Sequence, residues 1–410
     1  MKVMIVNCHT ANRGDEAAVH ALVDKLIENY PDIDITVAVR GNTFYPNFPK
    51  NVTIIPQYVV NGMKMEIEYC LLYLTKGKLK LSNTAKQFFK YLDEADLVLH
   101  GPGGPSIGDV YLDAEPTYLK LYDLLIRMNK PYMFYAPSMG PFKNGKRKNW
   151  RKRVLLNAKE IVLRDPVSKN YVDEFLKNDG KESVLTLDSA LQYDINLEEN
   201  EKTFLEYQEL IEFLDNHEKC VGITITDLTW HPVHSKNIQL VNNIKKSFSE
   251  FLEYLEKNNY GVVFIPQLYG NDDDEELMKK YMRNSKNYFV IEANNPKYDT
   301  YFQQYVIGKL YAVIGMRYHS NIFSAKMGTP FISVSYEQKM SGFMKKMGLE
   351  NYLINISDLS FDNLKDKFRL LSDNYEEYHK VLCDKHEYMK KESSKTTEIV
   401  KEYLNKIARI

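Results

Sequence analysis

Only four of the 410 residues are cysteine, Cys8, Cys70, Cys220 and Cys383, and no two stand in a CxxC pair. A disulfide framework and a zinc knuckle both need closely set thiols, so neither is expected, and no other cluster of metal-ligand residues is visible. Long hydrophobic runs are missing too. No stretch approaches the roughly 20 apolar residues that span a bilayer. The N-terminal run in MKVMIVNCHT is too short for a signal h-region and lacks a cleavage site. Charge of one sign is also absent: 54 basic and 55 acidic residues leave a net charge of -1. That balance excludes a general nucleic-acid binder, which needs a basic surface to displace counterions, although 143–153 is locally basic. The expected protein is reduced and cytoplasmic, with no integral membrane segment and with room for peripheral contact at the inner face of a membrane.

What is present is a normal apolar fraction, 44%, in a chain too long for one ordinary core. Short apolar strands at 3–7, 33–39, 52–55, 97–100, 132–136, 161–163 and 184–187 alternate with segments of helical periodicity. A polar, acidic stretch at 196–219 interrupts this rhythm, which restarts with strands at 221–225, 261–265, 288–291, 310–314 and 331–334. The remainder, from about 373, is charged and helical. The pattern predicts an α/β fold with two Rossmann-like domains, 1–195 and 220–372, a linker at 196–219, and a C-terminal helical segment at 373–410.

In open α/β sheets, ligands bind beyond the carboxyl ends of strands, so residues that directly follow a strand carry the functional reading. Asn12-Arg13-Gly14-Asp15-Glu16 opens the first helix, where free N–H groups favour an anion; the same residues also read as a capped helix start, with Asp15 as cap. His100 leads into a glycine-rich loop that includes Gly103 and Gly104. This loop fits neither the dinucleotide fingerprint nor the P-loop, and His100 reads equally as a buried histidine bonded to backbone. Ser138 sits in a Ser-Met-Gly-Pro loop. Arg164 ends a strand, where it either holds an anion or pairs with Asp165 or Asp188. Arg317 and His319 follow the strand at 310–314; in extended backbone they share a face and form an anion clamp with an acid/base. Lys339, after the next strand, adds a second positive charge or is a solvated lysine.

Taken in order, these elements resemble the polysaccharide pyruvyl transferase family. The resemblance rests on an NxGDEA element at 12–17, a glycine-rich segment at 101–104 and a Ser-x-Gly-Pro loop at 138–141. It continues through Arg-Asp-x-x-Ser at 164–168, GxRxH at 315–319, Ala-x-x-x-Gly-x-Pro at 325–330, and Tyr336 with Lys339. It implies a GT-B-like arrangement, with an acceptor-side first domain, a donor-side second domain, and the last helix packed back on the first. It further implies transfer of a pyruvyl group from phosphoenolpyruvate to a sugar hydroxyl pair of a polysaccharide or glycolipid precursor, with no cofactor and no metal. Arg317 and His319 would be catalytic. Asn12, Arg13, Gly14, Asp15, Gly103, Gly104, Ser138, Arg164 and Lys339 would bind substrate. Where many members carry an arginine, after the first strand of the second domain, this chain has Asp227 and then Trp230-His231, which suit contact with a sugar. The same layout admits a glycosyltransferase using a nucleotide sugar, or a sugar-binding protein without turnover.

Overall fold

The central strands in this chain are short, mostly apolar and buried throughout, as in LVLH and FISVS, because each is covered on both faces of a parallel sheet. The computed structural model describes residues 1–9, 11–41, 48–270, 273–282 and 285–408. It divides into two compact units. Unit 1 comprises Met1–Thr10, Ala18–Tyr193 and Lys391–Ile410, and unit 2 comprises Ala11–Ala17 and Asp194–Lys390.

Unit 1 is built on β1 (Lys2–His9), β2 (Asp34–Arg40), β3 (Val52–Pro56), β4 (Leu97–His100), β5 (Tyr132–Tyr135), β6 (Ile161–Leu163) and β7 (Val184–Leu185). All pair in parallel, in the order β3-β2-β1-β4-β5-β6-β7, so the strand order reverses between β1 and β4. Its helices are α1 (Arg13–Asn29, whose first turn counts with unit 2), α2 (Met63–Thr75), α3 (Asn83–Glu94), α4 (Glu115–Arg127), α5 (Lys148–Asn157) and α6 (Pro166–Leu176). Side chains alternate across a strand, and β1 shows the consequence. Met4 and Val6 enter a core with Phe88, Phe89, Leu121 and Phe134, while Val3 and Ile5 enter one with Leu22, Leu26, Leu97 and Leu99.

Unit 2 repeats the plan with β8 (Cys220–Thr224), β9 (Gly261–Phe264), β10 (Tyr288–Val290), β11 (Ala312–Gly315), β12 (Phe331–Ser335) and β13 (Leu353–Asn355). The parallel order is β10-β9-β8-β11-β12-β13, with the reversal between β8 and β11. The edge strand β13, three residues long, was not expected from sequence. The stretch read as a linker forms two helices, α7 (Leu197–Glu206) and α8 (Gln208–Asp215). Tyr207 between them stacks on Tyr298 at 4.1 Å, so the acidic segment is ordered by an apolar contact. The remaining helices are α9 (Ile238–Lys257), α10 (Asp274–Lys279), α11 (Thr300–Ile307), α12 (Tyr318–Lys326), α13 (Gln338–Met347), α14 (Phe361–Asp373) and α15 (Tyr375–Ile407).

The charged tail is the single long helix α15. Its residues to Lys390 count with unit 2, and those from Lys391 count with unit 1. Within unit 1, Val400 and Leu404 join the core that holds Leu22 and Leu26. The run Ser393, Thr396 and Thr397 is poor in helix propensity, and hydrogen bonding explains it. Ser393 donates to the Asp188 carbonyl, Thr396 to Thr186 Oγ1 at 2.9 Å, and Thr397 to Gln192 Oε1 at 2.6 Å, while the Tyr135 hydroxyl meets Thr397 Oγ1 at 2.6 Å. Removing one partner strands the others, which costs about 1–3 kcal/mol for a buried neutral group. Thr397→Val, close in shape, is therefore expected to lower the urea unfolding free energy by about 1–3 kcal/mol. Thr203→Val, at a half-buried position whose hydroxyl only back-bonds to Glu199 O at 3.4 Å, should change it by less than about 0.5 kcal/mol.

Candidate active site

The glycine-rich loop of unit 1 is laced to its neighbour by backbone. Ser138 N donates to Gly103 O at 3.1 Å, Gly140 N to Ile107 O at 2.9 Å, and Asp109 N to Pro141 O at 2.8 Å. Below it, Gly108 N donates to Glu115 Oε1 at 2.9 Å. Glu115 is buried and paired with Arg151 at 2.7 Å and Arg147 at 2.9 Å. Two arginines of the basic stretch are thus used internally. His100 is the buried histidine of the two readings. Its Nδ1 accepts from Asn7 Nδ2 at 3.2 Å, its Nε2 meets Ser106 Oγ at 2.9 Å, and Tyr122 closes on Nδ1. Asn7 reaches it because a register shift in β1 leaves Asn7 at φ 60°, a conformation asparagine tolerates.

The resemblance placed Ser138 and Arg164 on substrate, while the residues alone left Arg164 equally to a pair with Asp165 or Asp188, and the structure gives both internal partners. Ser138 Oγ donates to Asp165 Oδ2 at 2.9 Å. Arg164, almost fully buried, forms an ion pair with Asp188 and donates weakly to Ser138 Oγ at 3.4 Å. Gly104, in contrast, has open space where a side chain would be.

The first turn of α1 belongs to unit 2. Asn12, rather than Asp15, is its cap: Asn12 Oδ1 accepts from Gly14 N at 2.8 Å and Asp15 N at 3.3 Å. Arg13 has internal partners, and its buried Nε makes no hydrogen bond among the described residues. It is fully buried, pairs with the equally buried Glu16 at 2.9 Å, donates to Ala293 O at 3.0 Å, and lies 4.3 Å over the Tyr269 ring. Gly14 is present for space. A Cβ there would stand 1.8 Å from His319 Nδ1, so the imidazole lies flat against this turn.

Arg317 and His319 do not share an extended face as expected. Arg317 is extended at φ -92° and ψ 136°, but α12 begins at Tyr318, so His319 sits in its first turn. This tight start exists because Gly315 has no side chain; a Cβ there would meet Asn321 Oδ1 at 1.9 Å. Arg317 lies at the β8/β11 strand-order reversal, its N–H donating to Thr224 Oγ1 at 3.3 Å. Its Nη2 pairs with buried Asp274 and its guanidinium lies 5.4 Å from the Trp230 ring. Burial opposes the charge, but the Asp274 carboxylate prevails with help from Tyr336, and Arg317 stays above its ordinary pKa. Its Nε is buried and makes no hydrogen bond among the described residues. From the end of β12, Lys339 pairs with Glu337 at 2.7 Å and lies 5.6 Å from the Tyr318 ring. Glu337 also accepts from His231 Nε2 at 3.2 Å, the tautomer following from His231 Nδ1, which accepts from Val233 N at 3.2 Å. Burial alone would raise the Glu337 carboxyl; Lys339 and these hydrogen bonds hold it down at about 2.

A model of the polysaccharide pyruvyl transferase family matches residues 12–338, from the cap of α1 to the start of α13. The chain belongs to the polysaccharide pyruvyl transferase family. It is a transferase, and its acceptor is a sugar. Amylovoran biosynthesis protein AmsJ of Erwinia amylovora is 24% identical over 405 residues, 92% of this chain and 93% of that protein. The crystal structure of UDP-GlcNAc 2-epimerase from Neisseria meningitidis bound to UDP-GlcNAc covers 99% of this chain and 100% of its own, at 13% identity and a TM-score of 0.58. A glycosyltransferase structure from Rickettsia africae covers 98% of each chain at 13% identity and a TM-score of 0.57. These likenesses show the fold, which is GT-B-like in class.

Sequence reasoning missed Asp274, Glu337 and the role of His231. Asp274 lies in an acidic run with no local mark of function, yet Oδ2 accepts from Gln267 N and Leu268 N, both at 3.0 Å, which aims Oδ1 at Arg317. Of the residues expected to touch sugar, Asp227 closes its own turn on Thr229 and His231 is engaged by Glu337, while Trp230 remains 45% exposed.

Two outcomes follow from this geometry. Gly14→Ala should destabilise by about 1–3 kcal/mol through overpacking. Most of that loss should vanish in a His319→Ala background, a coupling readable by a double-mutant cycle of unfolding free energies. Burial first, then the charges of His9 and Arg40, hold His100 at about 3, below its ordinary 6.5. The folded state therefore binds fewer protons than the unfolded one between these values, and stability falls as pH drops from 6.5 toward 3. His100→Gln should flatten that part of the thermal-midpoint profile between pH 7 and about 5 relative to the parent.

Proposed function

We propose that the protein transfers a pyruvyl group from phosphoenolpyruvate to two hydroxyls of one sugar, in a polysaccharide or its lipid-linked precursor, forming a ketal and releasing phosphate. The observation that carries this reading is Arg317. It is a buried guanidinium with Nη2 committed to Asp274, leaving a buried Nε without a partner among the described residues, two positions from His319. A guanidinium with an uncommitted N–H can donate it to a carboxylate or phosphate. Phosphoenolpyruvate has both groups, and Lys339 supplies the second cation. Asp274 and Glu337 hold these cations in place before the donor arrives, so little reorganisation is needed on binding.

In the reaction, the donor C3 methylene gains a proton and becomes a methyl group while the first hydroxyl oxygen bonds to C2. His319 is the proton carrier, because an imidazole exchanges protons near neutral pH. Phosphate then leaves C2 with its bonding electron pair and the second hydroxyl oxygen takes its place. The two hydroxyl protons are balanced by the proton now on C3 and the one carried off with phosphate or His319. No electrons are exchanged and the enol phosphate supplies the driving force, so the scheme needs neither cofactor nor metal. Within unit 2 the Trp230 ring, 45% exposed, is the surface offered to the acceptor. A cytoplasmic location suits a donor made there.

Calorimetry with phosphoenolpyruvate tests the reading. Saturable binding is expected for the intact protein, weakened by about 2–5 kcal/mol in Arg317→Ala. A His319→Gln variant should still bind the donor but release no phosphate with an acceptor present. Absence of donor binding together with tight binding of UDP or GDP would transfer the chain to nucleotide-sugar chemistry.

A further inference from the structure

Helix α2 is apolar on the side it should not be. Its inward face meets the unit 1 core through Leu72, with Met65, Tyr69 and Tyr73 packed beside it. The opposite stripe, at spacings of four, three and four residues, is Met63, Ile67, Cys70 and Leu74. Met63, Ile67 and Leu74 are 80%, 55% and 69% exposed, and Cys70 is exposed as well. A helix on the surface of a globular protein normally places charge there. The chain then turns through Lys76 and Gly77 into the strap Lys78-Leu79-Lys80-Leu81, whose two leucines are 45% and 52% exposed.

The apolar surface is built and not frayed. Gly77 N donates to Leu72 O at 2.7 Å, closing the helix. The buried Glu68 carboxylate accepts from Leu81 N and Ser82 N, both at 2.7 Å, and from Ser82 Oγ at 2.8 Å, pinning the strap to α2. The rim is basic. Residues 64–90 contain six lysines and two glutamates, and one of those glutamates is the buried Glu68. Lys64, Lys76, Lys78 and Lys86 are exposed.

We propose that α2 and the 78–81 strap form a membrane-surface attachment site, taking the headgroups and upper acyl region of an anionic bilayer. Protruding apolar side chains interleaved with lysines match such a surface, since apolar groups enter the acyl boundary while ammonium groups stay among the phosphates. The lysines also decide against a second copy of this chain. A two-fold contact through this face would set the same four exposed lysines against themselves. No helix among the described residues is long and apolar enough to cross a membrane, so the attachment is peripheral.

Vesicle co-sedimentation of the full chain tests this without donor or acceptor, so its result is independent of the reaction. The protein should sediment with phosphatidylcholine vesicles containing phosphatidylglycerol at low ionic strength, and far less with phosphatidylcholine alone. Met63→Ser/Ile67→Ser/Leu74→Ser, all at exposed positions, should keep the thermal midpoint and weaken the vesicle partition roughly ten-fold or more. Lys76→Gln/Lys78→Gln should weaken it by roughly five-fold per lysine. A polarity-sensitive fluorophore on Cys70, in a Cys383→Ser background, should shift to the blue on adding the anionic vesicles. The proposal is overturned if the parent does not sediment, if both sets of substitutions leave binding unchanged, or if the triple serine variant instead converts a dimer to a monomer.

Discussion

The buried ion pair between Arg13 and Glu16 is the constraint on which the second unit's site depends. Two charges this deep persist only if the surroundings satisfy them. Arg13 is met by Glu16, by the Ala293 carbonyl and by the Tyr269 ring, and Glu16 accepts from Thr300 N at 3.2 Å. These partners come from the β10–α11 region and the chain after β9, and the backbone repeats the link, Arg13 N donating to Gln267 O at 2.8 Å. The first turn of α1 is thereby held in one position within unit 2. Gly14, one residue on, is consequently where His319 needs it to be. The pair matters less for its energy than for the register it imposes.

From that register the site follows as a balance of charge. Arg317 and Lys339 arrive at adjacent strand ends, and each is neutralised by one carboxylate, Asp274 or Glu337. An unpaired cation at these depths would be expensive to bury. The acids therefore let the cations exist in the absence of ligand. Unit 1 is organised differently. Its strand-end residues His100, Ser138 and Arg164 are turned inward, and the glycine-rich loop beside them is itself largely buried.

Much of the fold was legible because short apolar strands alternating with helical periodicity have few other solutions. Twelve of the strands stand where that rhythm put them. The exceptions have local causes. The acidic segment 196–219 lacks apolar periodicity, and its helices are ordered through Tyr207 by a residue 91 positions away. The strand β13 is only three residues long and depends on pairing with β12. At the site, the motif residues were legible and their partners were not. Glycine, arginine and histidine after a strand mark themselves, whereas Asp274 looks like any residue of a solvated acidic run.

The sequence alone determined the α/β class, the two successive sheets, the family and the identity of Arg317, His319 and Lys339 as strand-end residues. The class and the sheets are written in local composition and periodicity, and the family in the ordered motifs by which the chain resembles it. Only the tertiary structure decided which groups partner each cation. Arg13 and Arg164 each read two ways in isolation, and the fold supplies their partners, Glu16 with the Ala293 carbonyl and Asp188. A side chain's availability is set by what surrounds it in space, and burial, pairing and the 1.8 Å conflict that reserves position 14 for glycine exist only once the chain is folded.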